Sequence, residues 1–172
     1  MRKIPTSCQA CSYLVVSFLC LMGLSSCGPN YIFDETKQIQ EQAWTYADSL
    51  DFRVSIADTN KVFNLYLDID HQLGYPFENL YLMVHTTFPS GQRLNQRLSV
   101  NFMDKAGKLH GDCSGEHCSL RVRMQEKAYF SEAGDYQFSI EQFTRQDSLP
   151  GIRSLALRIE DLGMDRSKAS SE

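Results

Sequence analysis

Seven stretches of the chain set an apolar side chain at every second position, and that period limits what it can fold into. Phe52, Val54 and Ile56 alternate in "LDFRVSI", Leu65, Leu67 and Ile69 in "NLYLDID", and Leu80, Leu82 and Val84 in "NLYLMVH". Leu94, Leu98, Val100 and Phe102 share one parity, as do Leu120, Val122 and Met124, then Tyr136, Phe138 and Ile140, then Leu155, Leu157 and Ile159. Successive side chains of an extended strand point to opposite faces, so a period of two gives one apolar and one polar face; a helix needs apolar residues three and four apart. Turn signals fall between the stretches: Gly74-Tyr75-Pro76, Pro89-Ser90-Gly91, residues 104–107, Gly134-Asp135 and Pro150-Gly151. Such strands pair antiparallel and must cover their apolar faces with a second sheet. The expected fold is all-β, a single antiparallel β-sandwich (immunoglobulin-like or jelly-roll-like) over residues 44–162. Each strand buries about three large side chains at about 1.5–3 kcal/mol apiece, enough for a core that needs no cofactor. No helix longer than about two turns is expected. The polar tail, 163–172, reads as frayed.

The N-terminal end obeys another rule. Arg2 and Lys3 precede an apolar run over 13–24, shorter than the roughly 20 residues that a spanning helix needs. A positive start, a short apolar middle and small residues before a processing point define a secretory signal peptide, residues 1–26. Leu24-Ser25-Ser26-Cys27 resembles the lipobox of bacterial lipoproteins. That resemblance implies a diacylglyceryl group on the Cys27 thiol, cleavage before it and acylation of the new amino group, with palmitate among the chains. A plain signal peptide with an incidental cysteine, or an uncleaved anchor, are the other readings. One acyl chain holds marginally and two hold firmly, at about 0.8 kcal/mol per buried methylene. Residues 27–43 read as the lipidated cysteine and a polar tether ending in a helical turn. Gly28 is not the aspartate that retains some lipoproteins at the inner membrane, which favours a periplasm-facing outer-membrane protein.

Loss of residues 1–26 removes Arg2 and Lys3 and no acid, taking the formal charge from −4 to −6. An acidic surface argues against nucleic acid and anionic headgroups as partners. Cys8, Cys11 and Cys20 leave with the signal, so Cys113 and Cys118 are the pair left in the domain. An even pair in an oxidising compartment suggests a disulfide; free thiols and a zinc shell completed by His110 and His117 are the alternatives. Cys-x4-Cys is not the Cys-x-x-Cys of thioredoxin-like redox sites.

Chemistry-bearing residues are sparse. Asp68 and Asp70 share a strand face, as a glycosidase pair could, but they alternate with Leu67 and Ile69 and read as a solvated outer face. His71 reads as the start of a turn, and His85 as a packed or surface residue. No Gly-x-Ser-x-Gly elbow or phosphate-binding glycine loop occurs. Tyr66 and Tyr81 fall on the polar parity. If their strands pair, they could join Tyr75 and Phe77 in an exposed patch, a candidate partner surface or a platform for sugar stacking; simple cross-strand packing is the plainer explanation. Pro150-Gly151 fits a type II turn and is also a candidate docking position.

Several of these stretches together resemble one family. Asn64-Leu65-Tyr66, Tyr75-Pro76-Phe77, Asn79-Leu80-Tyr81, Phe88-Pro89 with Gly91, Gly134-Asp135-Tyr136 and Leu149-Pro150-Gly151-Ile152 occur in order across 44–160. This set resembles the GldH gliding motility lipoproteins of Bacteroidetes. The resemblance implies an envelope lipoprotein of the gliding apparatus, whose components overlap with type IX secretion, with envelope proteins as partners and no assigned catalysis; from the residues themselves no cofactor or metal is expected. The loop "GKLHGDCSGEHCSL" departs from the family pattern. The resulting expectation is a membrane-anchored, non-catalytic domain acting by tethered protein–protein interaction. A surface glycan-binding lipoprotein is the alternative, and an envelope hydrolase comes third.

Overall fold

The computed structural model describes residues 28–169. Eleven strands follow in chain order: β1 Tyr31–Gln38, β2 Ala43–Thr45, β3 Leu50–Ile56, β4 Lys61–Gln72, β5 Asn79–Thr87, β6 Arg93–Asn101, β7 Asp112–Ser114, β8 His117–Ala128, β9 Gly134–Gln142, β10 Ser148–Pro150 and β11 Ile152–Asp165. A 3-10 turn, Gln40–Gln42, and a four-residue helix α1, Arg166–Ala169, complete the described residues. One sheet has the order β1-β11-β4-β8-β7 and a second the order β3-β9-β5-β6, while β10 and β2 form a two-stranded ribbon. Every pairing is antiparallel. The fold is thus an all-β sandwich.

All seven alternating stretches are strands. Their apolar parities meet between the sheets, where Leu65, Leu67, Ile69, Leu155, Leu157 and Ile159 face Phe52, Val54, Leu80, Leu82, Tyr136, Phe138 and Ile140. Connections sort to two ends. β1 begins at the entry end, where β3 passes to β4, β5 to β6 and β8 to β9. Residues 39–49, 73–78, 102–111 and 143–147 cluster at the far end.

Two boundaries and the burial of one residue differ from the sequence reading. Residues 31–38 are not a tether but the edge strand β1, which pairs with β11 from Tyr31↔Glu160 to Gln38↔Ser154. Its alternation is hard to see because Glu35 and Lys37 share the inward parity of Phe33; Phe33 meets Phe52 edge-on at 6.5 Å, and the Lys37 ammonium lies over the same ring. The sandwich therefore starts at 31, not 44. At the other end β11 runs on to Asp165, which pairs with Lys61 after a register shift beyond Asp161. The first residues of the expected frayed tail are ordered too: Arg166 N–H donates to the Asn60 carbonyl at 2.7 Å, and its guanidinium covers the Tyr129 ring at 3.7 Å. On β6, Leu94 has core parity yet is more than half exposed, because β6 ends its sheet and the facing sheet stops short of it.

Candidate functional site

The aromatic side chains named from sequence separate in space. β4 and β5 belong to different sheets, so Tyr66 and Tyr81 stand on opposite outer faces and form no joint patch. Tyr75 is buried: the turn after β4 folds back, Tyr75 N–H donating to the Gln72 carbonyl at 3.0 Å, and its ring plugs the far end of the core against Phe102 and His71. Burial pushes its phenol up to about 12. Pro150 is exposed at the end of β10, next to buried Gly151, whose φ of +87° lets the chain turn into β11. His71 does not begin a turn but continues the inward parity of Leu65, Leu67 and Ile69, its ring packed at a tilt against Phe102 with centroids 4.3 Å apart. Its Nδ1 lies 2.8 Å from the Gln72 carbonyl oxygen, so that nitrogen carries the proton. Burial lowers its affinity for a second proton, opposed by the Gln72 carbonyl and by Asp70.

Phe77 and Tyr81 do meet, in company that sequence did not suggest. They line a groove of about 810 Å3 at the far end together with Tyr46, Phe143, Arg145 and Leu149. Tyr46, Tyr81 and Phe143 are 50%, 47% and 42% exposed, so three large rings face solvent within one concavity. A second groove of about 330 Å3 lies on the other flank of Tyr81 and Phe143, bounded by Arg97 and Leu98. The rings thus form a ridge between two hollows.

The walls are held from below. Trp44 is fully buried and donates its indole N–H to the Asp48 carbonyl at 2.8 Å, which fixes the turn carrying Tyr46; Tyr46 N–H donates to Asp147 at 2.9 Å. Buried Gln142 organises the facing loop. Its amide donates to the Gln146 carbonyl at 2.8 Å, and its oxygen accepts from the N–H and hydroxyl of Thr144. Phe143 N–H donates to the Tyr81 carbonyl at 2.7 Å. Rings on a pre-formed frame lose little freedom when they bind, which is how contact anchors work. Tyr46 and Phe143 were missed. Phe143 carried a signal, an aromatic that breaks the parity of Tyr136, Phe138 and Ile140; Tyr46 shares the parity of buried Trp44 and carried none.

Asp68 and Asp70 sit on the outer face of the larger sheet, but Asp68 is not solvated. Arg121 grips its two oxygens at 2.7 and 2.8 Å, and Arg158 contacts it as well while reaching Asp34 at 3.0 Å. Arg121 lies over the Tyr66 and Tyr31 rings and donates to the Tyr31 hydroxyl at 2.9 Å. The Tyr66 hydroxyl donates to Glu160 at 2.9 Å; burial and that bond raise its pKa. This mesh ties β1, β11, β4 and β8 together and leaves Asp68 no freedom to act as a base. His85 bonds Asn95 at 2.7 Å on the other sheet's outer face. A disulfide joins Cys113 and Cys118 across the β7–β8 hairpin. Among the described residues no group of three or more His, Cys, Asp or Glu side chains converges on a metal position, and no helix is long and apolar enough to cross a membrane. Cys27 lies outside the described residues.

Fold and site together define a β-sandwich domain with an exposed aromatic groove at one end. The family model "GldH lipoprotein" matches residues 31–159, and the chain belongs to that family. It is 28% identical over 143 residues to a gliding motility lipoprotein GldH homolog of Christiangramia forsetii, covering 79% of this chain and 87% of that one. It is 29% identical over 141 residues to the gliding motility lipoprotein GldH of Flavobacterium johnsoniae, covering 81% and 86%. A solved structure of infectious bursal disease virus Gt strain aligns with 83% of this chain and 45% of its own at 7% identity and a TM-score of 0.15.

Proposed function

We propose that the chain is a lipoprotein of the bacterial cell envelope, anchored through acyl groups on Cys27, that supports gliding motility and type IX secretion without catalysis by docking a partner protein. The observation that carries this reading is the groove of Tyr46, Phe77, Tyr81 and Phe143, which opens at the end remote from the chain's entry at β1. Rigid aromatic anchors ringed by charged residues such as Glu78 and Arg145 are the composition of a protein contact. Anchoring supplies the rest, since confinement to a bilayer raises the domain's effective concentration beside partners in the same envelope. We read the domain as facing the periplasm from the outer membrane, on the strength of Gly28.

The test is to crosslink the native protein in the cells that make it, recover it and identify what is attached. Recovery of gliding or secretion components, reduced at least fivefold in a Tyr81→Ala/Phe143→Ala variant that remains folded, supports the reading. Mass spectrometry that finds the Cys27 thiol unmodified sinks the anchor. The concavity of the aromatic groove also favours a second reading, stacking on a glycan. Recovery of polysaccharide-uptake proteins alone, with saturable polysaccharide binding by the purified domain, would hand the site to that alternative.

A further inference from the structure

Two edge strands face each other along one side of the sandwich. β6 ends the four-stranded sheet. β8 has β4 on one side, while on the other β7 alone pairs with it, reaching from Ser114↔His117 to Asp112↔Ser119. Among the described residues, no strand lies against the outer edge of β8 over 120–126. Gly111 marks why β7 stops. Its φ is +86°, and a Cβ there would stand 2.3 Å from the Ser119 carbonyl oxygen. Just before it the chain belongs to the other sheet's side, His110 N–H donating to the Phe102 carbonyl at 2.7 Å and Leu109 bridging Met103. The crossing at Gly111 closes the far end of the seam and leaves the rest open.

Backbone and side chains are both left unmatched there. In an antiparallel strand every second residue turns its N–H and C=O to the same side, so residues 120–126 offer roughly three such residues as a template. Behind this edge, Leu98, Gln96 and Leu94 on β6 share the parity of buried Val100, yet Leu98 is half-buried and Gln96 and Leu94 are exposed, Leu94 to 53%. Across the gap the inward side chains of β8, Leu120, Val122 and Met124, are only half-buried. A cleft of about 140 Å3 runs between Leu94, Gln96, Met124 and Phe130, and a groove of about 870 Å3 continues along Val100, Leu120 and Val122.

We propose that β8 accepts an extended segment of a partner protein as the missing continuation of β7. The segment carries apolar residues at alternate positions, facing Leu94, Leu98 and Met124, and an acidic residue beside Arg123. An incoming strand satisfies the bare ladder and the uncovered apolar parity together; a helix or a glycan could meet only the second need. Charge sets its outward residues. Arg121 is gripped by Asp68, whereas Arg123 pairs at 3.0 Å with Glu126, an exposed neighbour on the same strand. The same arginines argue against a second copy, because pairing β8 with another β8 would bring Arg121 and Arg123 of both chains together. This binding site is distinct from the aromatic groove, although it shares the premise that the protein works through a partner.

The test uses the full chain in the membranes of its own bacterium. A benzophenone side chain is placed at Gln96 in the seam, at Asn95 on the outer face of β6 and at Phe143 in the groove. The expected result is an adduct at Gln96 and none at Asn95, with fragment sequencing that places the crosslink in a segment of alternating apolar residues with an acid among them. Leu94→Asp, at a position exposed enough to keep the fold, and Arg123→Glu each lower the yield at least fivefold. An adduct at Phe143 without one at Gln96 overturns strand addition and leaves the groove reading standing. A Gln96 adduct only to another copy of this chain overturns it in favour of a dimer. No adduct at either site overturns both readings.

Discussion

Replacing Asp68 with asparagine tests whether the outer face of the larger sheet is a clamp or a solvated surface. The substitution keeps the shape and removes one charge from between Arg121, bound at 2.7 and 2.8 Å, and Arg158. The Asp68 side chain is 13% exposed, and Arg158 and Arg121 are 23% and 44% exposed. Breaking a fully buried pair costs about 3–5 kcal/mol, because it leaves a charge without compensation; exposed pairs are worth about 0–1 kcal/mol. This geometry lies between, nearer the buried limit for the aspartate, so Asp68→Asn should cost about 2–3 kcal/mol. Arg121→Gln should cost only about 1 kcal/mol, since Asp68 keeps Arg158. Urea is the right denaturant, because guanidinium is itself a salt. With a slope of about 1.5 kcal/mol/M, the midpoint falls by roughly 1.3–2 M for Asp68→Asn and by roughly 0.7 M for Arg121→Gln. Equal losses in the two variants, or a loss below about 0.5 kcal/mol for Asp68→Asn, would refute the clamp.

Three further outcomes follow from the same structure. Replacing both Cys113 and Cys118 by alanine removes a crosslink between residues five apart in sequence; closing so short a loop is worth about 2 kcal/mol in the unfolded chain, read as a lower urea midpoint with an unchanged slope. Gly111→Ala should cost about 2 kcal/mol or more, from its φ of +86° and a contact with the Ser119 carbonyl oxygen that the backbone cannot relieve, and thermal melts would show it. Burial depresses the His71 pKa below its unfolded value near 6.5. The unfolded chain therefore binds the proton more readily: stability is complete above about pH 6.5 and falls as pH drops toward the folded value, by at most about 1.4 kcal/mol per unit. His71→Phe should flatten thermal melts between pH 7 and pH 5.5.

The strands were legible where burial is one-sided and complete, as at Leu65, Leu67 and Ile69, because only an apolar residue tolerates the inner parity there. His71 keeps that parity and is buried with it; its polarity, not its position, hid it. β1 was illegible for a related reason. At a sheet edge the inner face is only partly covered, so Glu35 and Lys37 can lay their stems along it and the strand reads as polar. Asp68 looked solvated because alternation gives a face and not what lies beside it; Arg121 and Arg158 come from residues 53 and 90 positions away. The groove has the same origin. Tyr46, Phe77, Tyr81 and Phe143 come from four separate connections or strands that converge only once two sheets and a ribbon are in place.

The edge strand changes how the proposed anchor can work. A polar tether of 27–43 would let the domain sample a wide volume, but Asp161 N–H already donates to the Asn30 carbonyl at 2.8 Å. Three residue steps then separate Cys27 from the sheet, a reach of roughly 10 Å. β1 rises from that point for eight residues, roughly 26 Å at 3.3 Å each, with the aromatic groove at its far end. An acylated Cys27 would therefore hold the entry end against the bilayer and present the groove away from it at a set height. Twenty glycine and serine residues inserted between Pro29 and Asn30 would replace that reach with one of roughly 25 Å in any direction. The volume available to the domain grows on the order of tenfold, and the local concentration at a fixed partner falls accordingly. Crosslinking through the groove should drop by about that factor, with the protein still in the membrane fraction. Unchanged crosslinking after the insertion would mean that anchoring alone is needed and that the short connection to β1 sets no height.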